Sequence, residues 1–280
     1  LKGRRLELCG VTVTAASEDS GKPQHLLRDV SFALEPGEWV VVTGPNGSGK
    51  STFIRLLAGH VPAMAAEGRV VRGFAGRAPV PYVTQHPDDS FVGSTPWEDV
   101  LAGLEQRGFE PEEAVRRARE ALERTGLGGL MHVPLDALSG GQKQLAAAAA
   151  CLAAAPELLI LDEADAMLDS VSREAVYTAA RGLWQQGAAV VWVTQRMEQL
   201  QPGDRVAAFL NGGLVYDGGA EGFFSETQGA DGYLPSVCAR LGYEPPYPAA
   251  VALELRRLGF GLSPLPLTPD TLAKAVSRHG

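Results

Sequence analysis

The sequence is 280 residues long and carries 25 lysines and arginines against 33 aspartates and glutamates, a formal net charge of −8. Its 45% hydrophobic and 21% charged residues exclude a disordered or fibrous chain, and the acidic balance argues against a nucleic-acid binder that works by neutralising phosphates. The length passes the roughly 250 residues at which single cores tend to split, so one large domain with an appendage is expected.

In chain order, the basic start Lys2-Gly3-Arg4-Arg5 is followed by no apolar signal core, which predicts no secretion. Leu6 to Val13 and Leu26 to Leu34 read as paired strands around a polar loop from Ala15 to Gln24. After a turn at Glu35-Pro36-Gly37-Glu38, Trp39 to Thr43 is continuously apolar, the pattern of a strand buried on both faces. A glycine-rich loop and a helix from Thr52 to Ala58 follow, and Pro81 to Thr84 is a short strand. Trp97 to Thr125 is helical in pattern, with Ala114, Val115, Ala118, Ala121 and Leu122 recurring at helical spacing, and Ser139 opens another helix running to about Ala155. Leu158 to Leu161 is a buried strand, Ser172 to Gln186 a helix and Ala188 to Thr194 a strand. A hairpin is expected around Asn211-Gly212-Gly213. Strands alternating with helices predict an α/β fold with a mostly parallel sheet. Beyond about Gly219 strand signals fade and prolines accumulate, so 220–280 is expected to be a small helical domain. There, Val251, Leu255 and Leu258 share a helix face, and Thr268-Pro269-Asp270 is a helix start.

Cys9, Cys151 and Cys238 lie far apart, which argues against a disulfide framework or zinc site and fits a reducing compartment. The longest apolar run, Leu145 to Ala155, falls well short of the roughly 20 residues a membrane span needs.

Three motifs carry chemistry. Gly44-Pro45-Asn46-Gly47-Ser48-Gly49-Lys50-Ser51 fits the phosphate-loop pattern, in which glycines let backbone N–H groups curl around phosphate oxygens. Asn46, Gly47, Ser48, Gly49, Lys50, Ser51 and Thr52 are therefore candidate ATP-binding residues, with Lys50 reaching the β- and γ-phosphates and Ser51 a ligand for Mg2+. Leu158 to Leu161 runs into Asp162-Glu163. In a phosphate-loop fold Asp162 would hold Mg2+, and Glu163 would act as base toward a water at the γ-phosphate. Leu138-Ser139-Gly140-Gly141-Gln142 opens a helix and offers a second anion-binding surface.

These motifs, in this order over roughly residues 5–218, resemble an ATP-binding cassette ATPase. The resemblance implies a head-to-tail dimer, with ATP held between the phosphate loop of one subunit and Ser139, Gly140, Gly141 and Gln142 of the other. It further implies Gln85 as a contact for Mg2+ and water, and Asp169 as part of the segment that crosses the dimer interface. A closer resemblance runs through Gln85-His86-Pro87-Asp88-Asp89-Ser90-Phe91, Thr95 to Val100, Leu234-Pro235, Leu258-Gly259 and Pro266-Leu267-Thr268. It is to the ATPase subunits of energy-coupling factor transporters, importers of vitamins and transition-metal ions such as cobalt. Asp88 and Asp89 then match the acids that dock arginines of a transmembrane coupling subunit.

Three positions depart from the family. Gln195 stands where a γ-phosphate-contacting histidine is usual, and an amide can hydrogen-bond but cannot shuttle a proton. The expectation is that Gln195, a catalytic-site residue, keeps the γ-phosphate contact at reduced turnover. Ala15 stands where an aromatic usually stacks on adenine, and Leu145 where an arginine often follows Gly141-Gln142-Lys143-Gln144 of the signature helix opened by Ser139.

The expected architecture is a phosphate-loop cassette over 1–219 with an antiparallel β region at the N-terminus, a helical subdomain at about 92–155 and the helical tail at 220–280. The expected function is ATP hydrolysis that powers an energy-coupling factor importer from the cytoplasmic face of the cell membrane, as a peripheral subunit. Its expected partners are a second cassette, identical or related, the coupling subunit and a substrate-binding membrane subunit. The alternatives are the ATPase of another transporter class, a weakly hydrolysing regulatory cassette, or a soluble cassette acting on nucleic acid. The last usually carries two cassettes and is disfavoured by the charge.

Overall fold

The computed structural model describes residues 5–16, 23–60, 66–80, 82–84, 91–229 and 232–277. Along the chain the elements are β1 (Leu6–Ala16), β2 (Pro23–Leu34), β3 (Trp39–Thr43), α1 (Lys50–Ala58), β4 (Ala66–Val71) and β5 (Tyr82–Val83). There follow α2 (Pro96–Glu105), α3 (Pro111–Arg124), α4 (Gly140–Ala153), β6 (Leu158–Asp162), α5 (Ser170–Gln185) and β7 (Ala189–Val193). Last come β8 (Arg205–Leu210), β9 (Gly213–Gly219), α6 (Ala220–Phe224), β10 (Thr227–Gly229), β11 (Gly232–Leu234), α7 (Val237–Arg240), α8 (Tyr247–Arg257) and α9 (Pro269–Ser277). The chain divides into two compact units, one of Leu1–Val11, Ser31–Trp39 and Ser51–Val193, the other of Thr12–Val30, Val40–Lys50 and Thr194–Gly280.

In the first unit β5, β6 and β7 run parallel, with Tyr82 opposite Ile160 and Ile160 opposite Val191. Every residue of β6 and β7 is buried, which is why both read as unbroken apolar runs rather than alternating ones. The ring of Trp39 stacks on Trp192 at 5.9 Å and meets Tyr177 and Trp184 edge-on, while the Arg181 guanidinium lies 3.7 Å from its centroid.

Helices α2, α3 and α4 pack on one another in the same unit. The single helical stretch expected over 97–125 is two helices, because Pro111 starts α3 and forces the preceding Glu110 into an extended conformation. The alanine run Ala146 to Ala149 is buried, and its small side chains let neighbouring elements approach α4. Leu145 is only 6% exposed, so an apolar residue suits this place better than an arginine would.

In the second unit β3 runs parallel to β8, with Val40 opposite Arg205 and Thr43 opposite Ala208, and β8 returns as the antiparallel β9. The tight turn between them holds Asn211 and Gly212 at φ 50° and 81°, the left-handed pair such a hairpin requires. One feature of the tail differs from expectation. The tail contains a two-stranded hairpin, β10 with β11, pairing Thr227 with Leu234. Strands of three residues are too short to show alternation in the sequence. The face of α8 that is buried is Pro248, Ala249 and Ala252, and Leu258 is 75% exposed. Small residues allow closer packing than the larger Val251–Leu255–Leu258 stripe, so they take the inside.

The loop expected from Ala15 to Gln24 is also shorter, since β1 continues to Ala16 and β2 begins at Pro23. Helix α5 starts two residues before the expected Ser172, because Asp169 caps it. Among the described residues, no helix is long and apolar enough to cross a membrane.

Candidate functional site: a phosphate loop and its surroundings

The phosphate loop follows β3 directly, and α1 begins at Lys50. Within the loop the Ser48 N–H donates to the Pro45 carbonyl at 3.2 Å, and Gly212 N–H donates to the Ser48 carbonyl at 3.0 Å. The Lys50 ammonium turns back across the loop and donates to the carbonyls of Gly44 at 2.7 Å and Pro45 at 3.1 Å, with the residue 6% exposed. Two neutral carbonyls therefore orient a cation at the loop interior. Gly49 has φ +104°, and a Cβ there would lie 2.7 Å from the Leu26 carbonyl oxygen, so only glycine closes this turn against β2. Among the described residues, the buried Ser48 hydroxyl has no hydrogen-bond partner. A concave loop with an oriented ammonium and an unmet hydroxyl fits a polyphosphate.

Gln195 lies in the same unit, and its Nε2 donates to Asn46 Oδ1 at 2.9 Å. In the first unit, Ser51 and Asp162 line one cavity of about 1090 Å³, together with Thr84, Asp99 and Cys151. A hydroxyl and a carboxylate are the hard oxygen donors that suit Mg2+, which commonly binds through one or two protein groups and keeps waters. Glu163 follows Asp162 at φ +47°, and its N–H donates to the Val193 carbonyl at 3.2 Å.

Ser139 and Gln142 form a reciprocal capping box at the start of α4, with Ser139 N–H donating to Gln142 Oε1 at 2.9 Å and Gln142 N–H to Ser139 Oγ at 3.3 Å. Gly140 and Gly141 open the helix against the 167–168 segment. A Cβ on Gly141 would sit 3.2 Å from the Met167 carbonyl oxygen. Asp169 accepts from the N–H groups of Val171 and Ser172, both at 2.9 Å, and from the Ser172 hydroxyl. These bonds, led by those from Ser172, hold its carboxyl below the usual aspartate range. Thr52 lies in the first turn of α1 and is half-buried, and Ala15 is exposed near the end of β1. Gln85, Asp88 and Asp89 lie outside the described residues.

Two residues were not singled out from sequence. Gln144 Nε2 donates to the Thr84 carbonyl at 3.0 Å, tying the signature helix to the chain just before Gln85. Asp99 accepts from the N–H groups of Val92 at 2.7 Å and Gly93 at 3.2 Å, fixing the chain just after the acidic segment. A buried polar position within an otherwise apolar helix face was the only signal for either.

Residues 27–166 match the family model described as ABC transporter. The energy-coupling factor transporter ATP-binding protein EcfA1 of Geobacillus kaustophilus is 34% identical over 260 residues, covering 90% of both chains. The protein of the same name in Bacillus subtilis is also 34% identical, over 262 residues and 90% of both chains. The chain belongs to this family of ABC transporter ATP-binding proteins. The class anticipated from the motifs is thus the right one, and the alternative of another transporter class is not favoured.

Among solved structures, the dimeric bacterial ABC transporter cassette MJ0796 superposes with a TM-score of 0.69 at 26% identity, covering 78% of this chain and 100% of that one. A post-hydrolysis state of that cassette, bound to ADP and Pi, gives 0.67 at 25% identity over 78% and 100%. The fold is therefore that of the phosphate-loop ABC ATPases, as the strand and helix order predicts, and the protein is an ATPase of that class.

Proposed function

We propose that this chain binds and hydrolyses ATP to power an energy-coupling factor importer of vitamins or transition-metal ions. The observation that carries the reading is the phosphate loop, with the Lys50 ammonium drawn across it by the Gly44 and Pro45 carbonyls. The loop amides and Lys50 bind and orient the phosphates, exchanging the two carbonyl contacts for charged oxygens. Ser51, Gln85 and Asp162 are the groups that would hold Mg2+, which when bound neutralises charge on the phosphate oxygens. Glu163 orients a water and takes its proton, and the Gln195 amide faces the terminal phosphate.

Ser139, Gly140, Gly141 and Gln142, with Asp169, are proposed to complete the nucleotide site of a second cassette, either a copy of this chain or a related one. The capping box supports this, because it fixes the start of a 14-residue helix whose N-terminus favours anions. Asp88 and Asp89 are proposed to dock a transmembrane coupling subunit, alongside a membrane subunit that reads the substrate. We assign 1–219 to the cassette, with a helical subdomain at about 92–155, and 220–280 to a C-terminal domain. The chain then works as a peripheral subunit at the cytoplasmic face of the membrane.

The test is Glu163→Gln in the assembled transporter. Hydrolysis should fall about 10²- to 10³-fold, with ATP retained in a stable dimer. Unchanged turnover would sink the assignment of Glu163 and favour a regulatory cassette.

A further inference from the structure

The phosphate loop is gripped at several points, and two of them come from far along the chain. Its base and stem are held by Lys50 on Gly44 and Pro45, by the Ser48 N–H on Pro45, and, from the β8–β9 turn, by the Gly212 N–H on the Ser48 carbonyl. Its tip, Asn46-Gly47, is exposed. The Gln195 side chain reaches that tip, donating to Asn46 Oδ1 at 2.9 Å across 149 residues of sequence. Gln195 is itself well anchored. Thr194 is buried, and its N–H donates to the Val42 carbonyl at 3.1 Å, which ties the segment to the strand that feeds the loop. The Arg196 N–H then donates to Thr194 Oγ1 at 3.0 Å and bends the chain at Gln195.

We propose that Gln195 is a positioning residue for the phosphate loop, a strap that holds Asn46 and so the loop tip in its nucleotide-binding shape. The proposal rests on the ATPase reading above and gives Gln195 a role that does not depend on the γ-phosphate. Two attachments, one backbone bond at Thr194 and one side-chain bond at Gln195, make the 194–196 segment a short arm rather than a free loop. Holding the tip before the ligand arrives removes part of the ordering cost of binding. Both partners are neutral amides, so the strap adds no charge that would oppose or replace the phosphates. It acts on any nucleotide whose α- and β-phosphates enter the loop.

ADP separates the two roles of Gln195, because it has no γ-phosphate. Binding of a fluorescent ADP derivative is measured for the whole chain, for Asn46→Ala, for Gln195→Ala and for the double variant. Gln195→Met is added, since it keeps the length but offers neither an amide donor nor a charge. Thermal unfolding of each variant confirms that it is folded. Each alanine variant should lose about fivefold in affinity, the scale of one net hydrogen bond, and the double variant should lose the same fivefold rather than about 25-fold. Gln195→Met should lose as much as Gln195→Ala. Wild-type ADP affinity in Gln195→Ala, or losses that multiply in the double variant, would overturn the strap. A wild-type chain that binds neither ADP nor ATP would instead overturn the ATPase reading and the strap with it.

Discussion

The Glu221 carboxylate meets Arg256 at 2.8 Å, and the same oxygen accepts from the Leu265 N–H at 3.1 Å. Arg256 also donates to the Leu262 carbonyl at 2.6 Å. One residue of α6 thus pins both α8 and the chain between α8 and α9. Because Glu221 is 45% exposed and Arg256 27%, solvent screens part of the pair. Glu221→Ala should cost about 1 kcal/mol in urea unfolding. Hydrogen exchange should show the loss first at the Leu265 amide, and unchanged protection there would contradict the pinning role.

Two glycines of the phosphate loop should respond differently to alanine. At Gly49 a Cβ meets the Leu26 carbonyl oxygen at 2.7 Å and the backbone is left-handed, so Gly49→Ala should abolish nucleotide binding. At Gly47 the φ of +75° is similar, but nothing lies within 4 Å. Gly47→Ala should therefore show backbone strain alone, about 1 kcal/mol. Nucleotide titration and thermal unfolding of both variants give the comparison, and equal losses would rule out the contact with β2 as the cause.

Acid should remove two carboxylate contributions in order of their environment. Arg116 and then Arg117 hydrogen-bond Glu113 and lower its pKa to about 2, against about 4.3 for an unperturbed glutamate. Ser172 and Val171 lower that of Asp169. A carboxyl with a depressed folded pKa stabilises the fold fully above its unfolded pKa, and that contribution is lost as pH falls through the folded value. For Glu113 the window runs from about 4.3 down to about 2. Side-chain NMR titration should place Glu113 near the lower figure, and in Arg116→Ala it should move back upward. Asp169→Asn should flatten the acid limb of stability that comes from α5.

Thiol labelling should divide the cysteines by burial. Cys151 and Cys238 are buried, and desolvation pushes both thiols up to about 12, which leaves little thiolate at pH 8. Cys9 is half-exposed, with the Arg69 guanidinium 3.5 Å from its sulfur. A colorimetric thiol assay on the native chain should therefore find one fast equivalent, absent in Cys9→Ser, and two more only after unfolding.

The parts of this protein legible in the sequence are those whose chemistry is contiguous. The phosphate loop, the apolar strand that ends in Asp162-Glu163, and Ser139-Gly140-Gly141-Gln142 at a helix start each span fewer than ten residues. Their function depends on backbone direction and near neighbours, so spacing alone marks them. Buried strands β3, β6 and β7 were legible for the same reason, since burial on both faces forces an unbroken apolar run.

What the sequence could not decide are choices among chemically similar candidates. Periodicity put Val251, Leu255 and Leu258 on one face of α8, but packing turned Ala249 and Ala252 inward because small residues allow closer approach. Leu145 stood out as a departure from the family, and only its burial among the helices explains the apolar side chain. The Gln195–Asn46 and Gln144–Thr84 bonds join residues 149 and 60 positions apart. Nothing local to either amide selects its partner. A side-chain amide will bond to whatever the fold brings within reach, so tertiary structure alone decided how the loop tip and the signature helix are held.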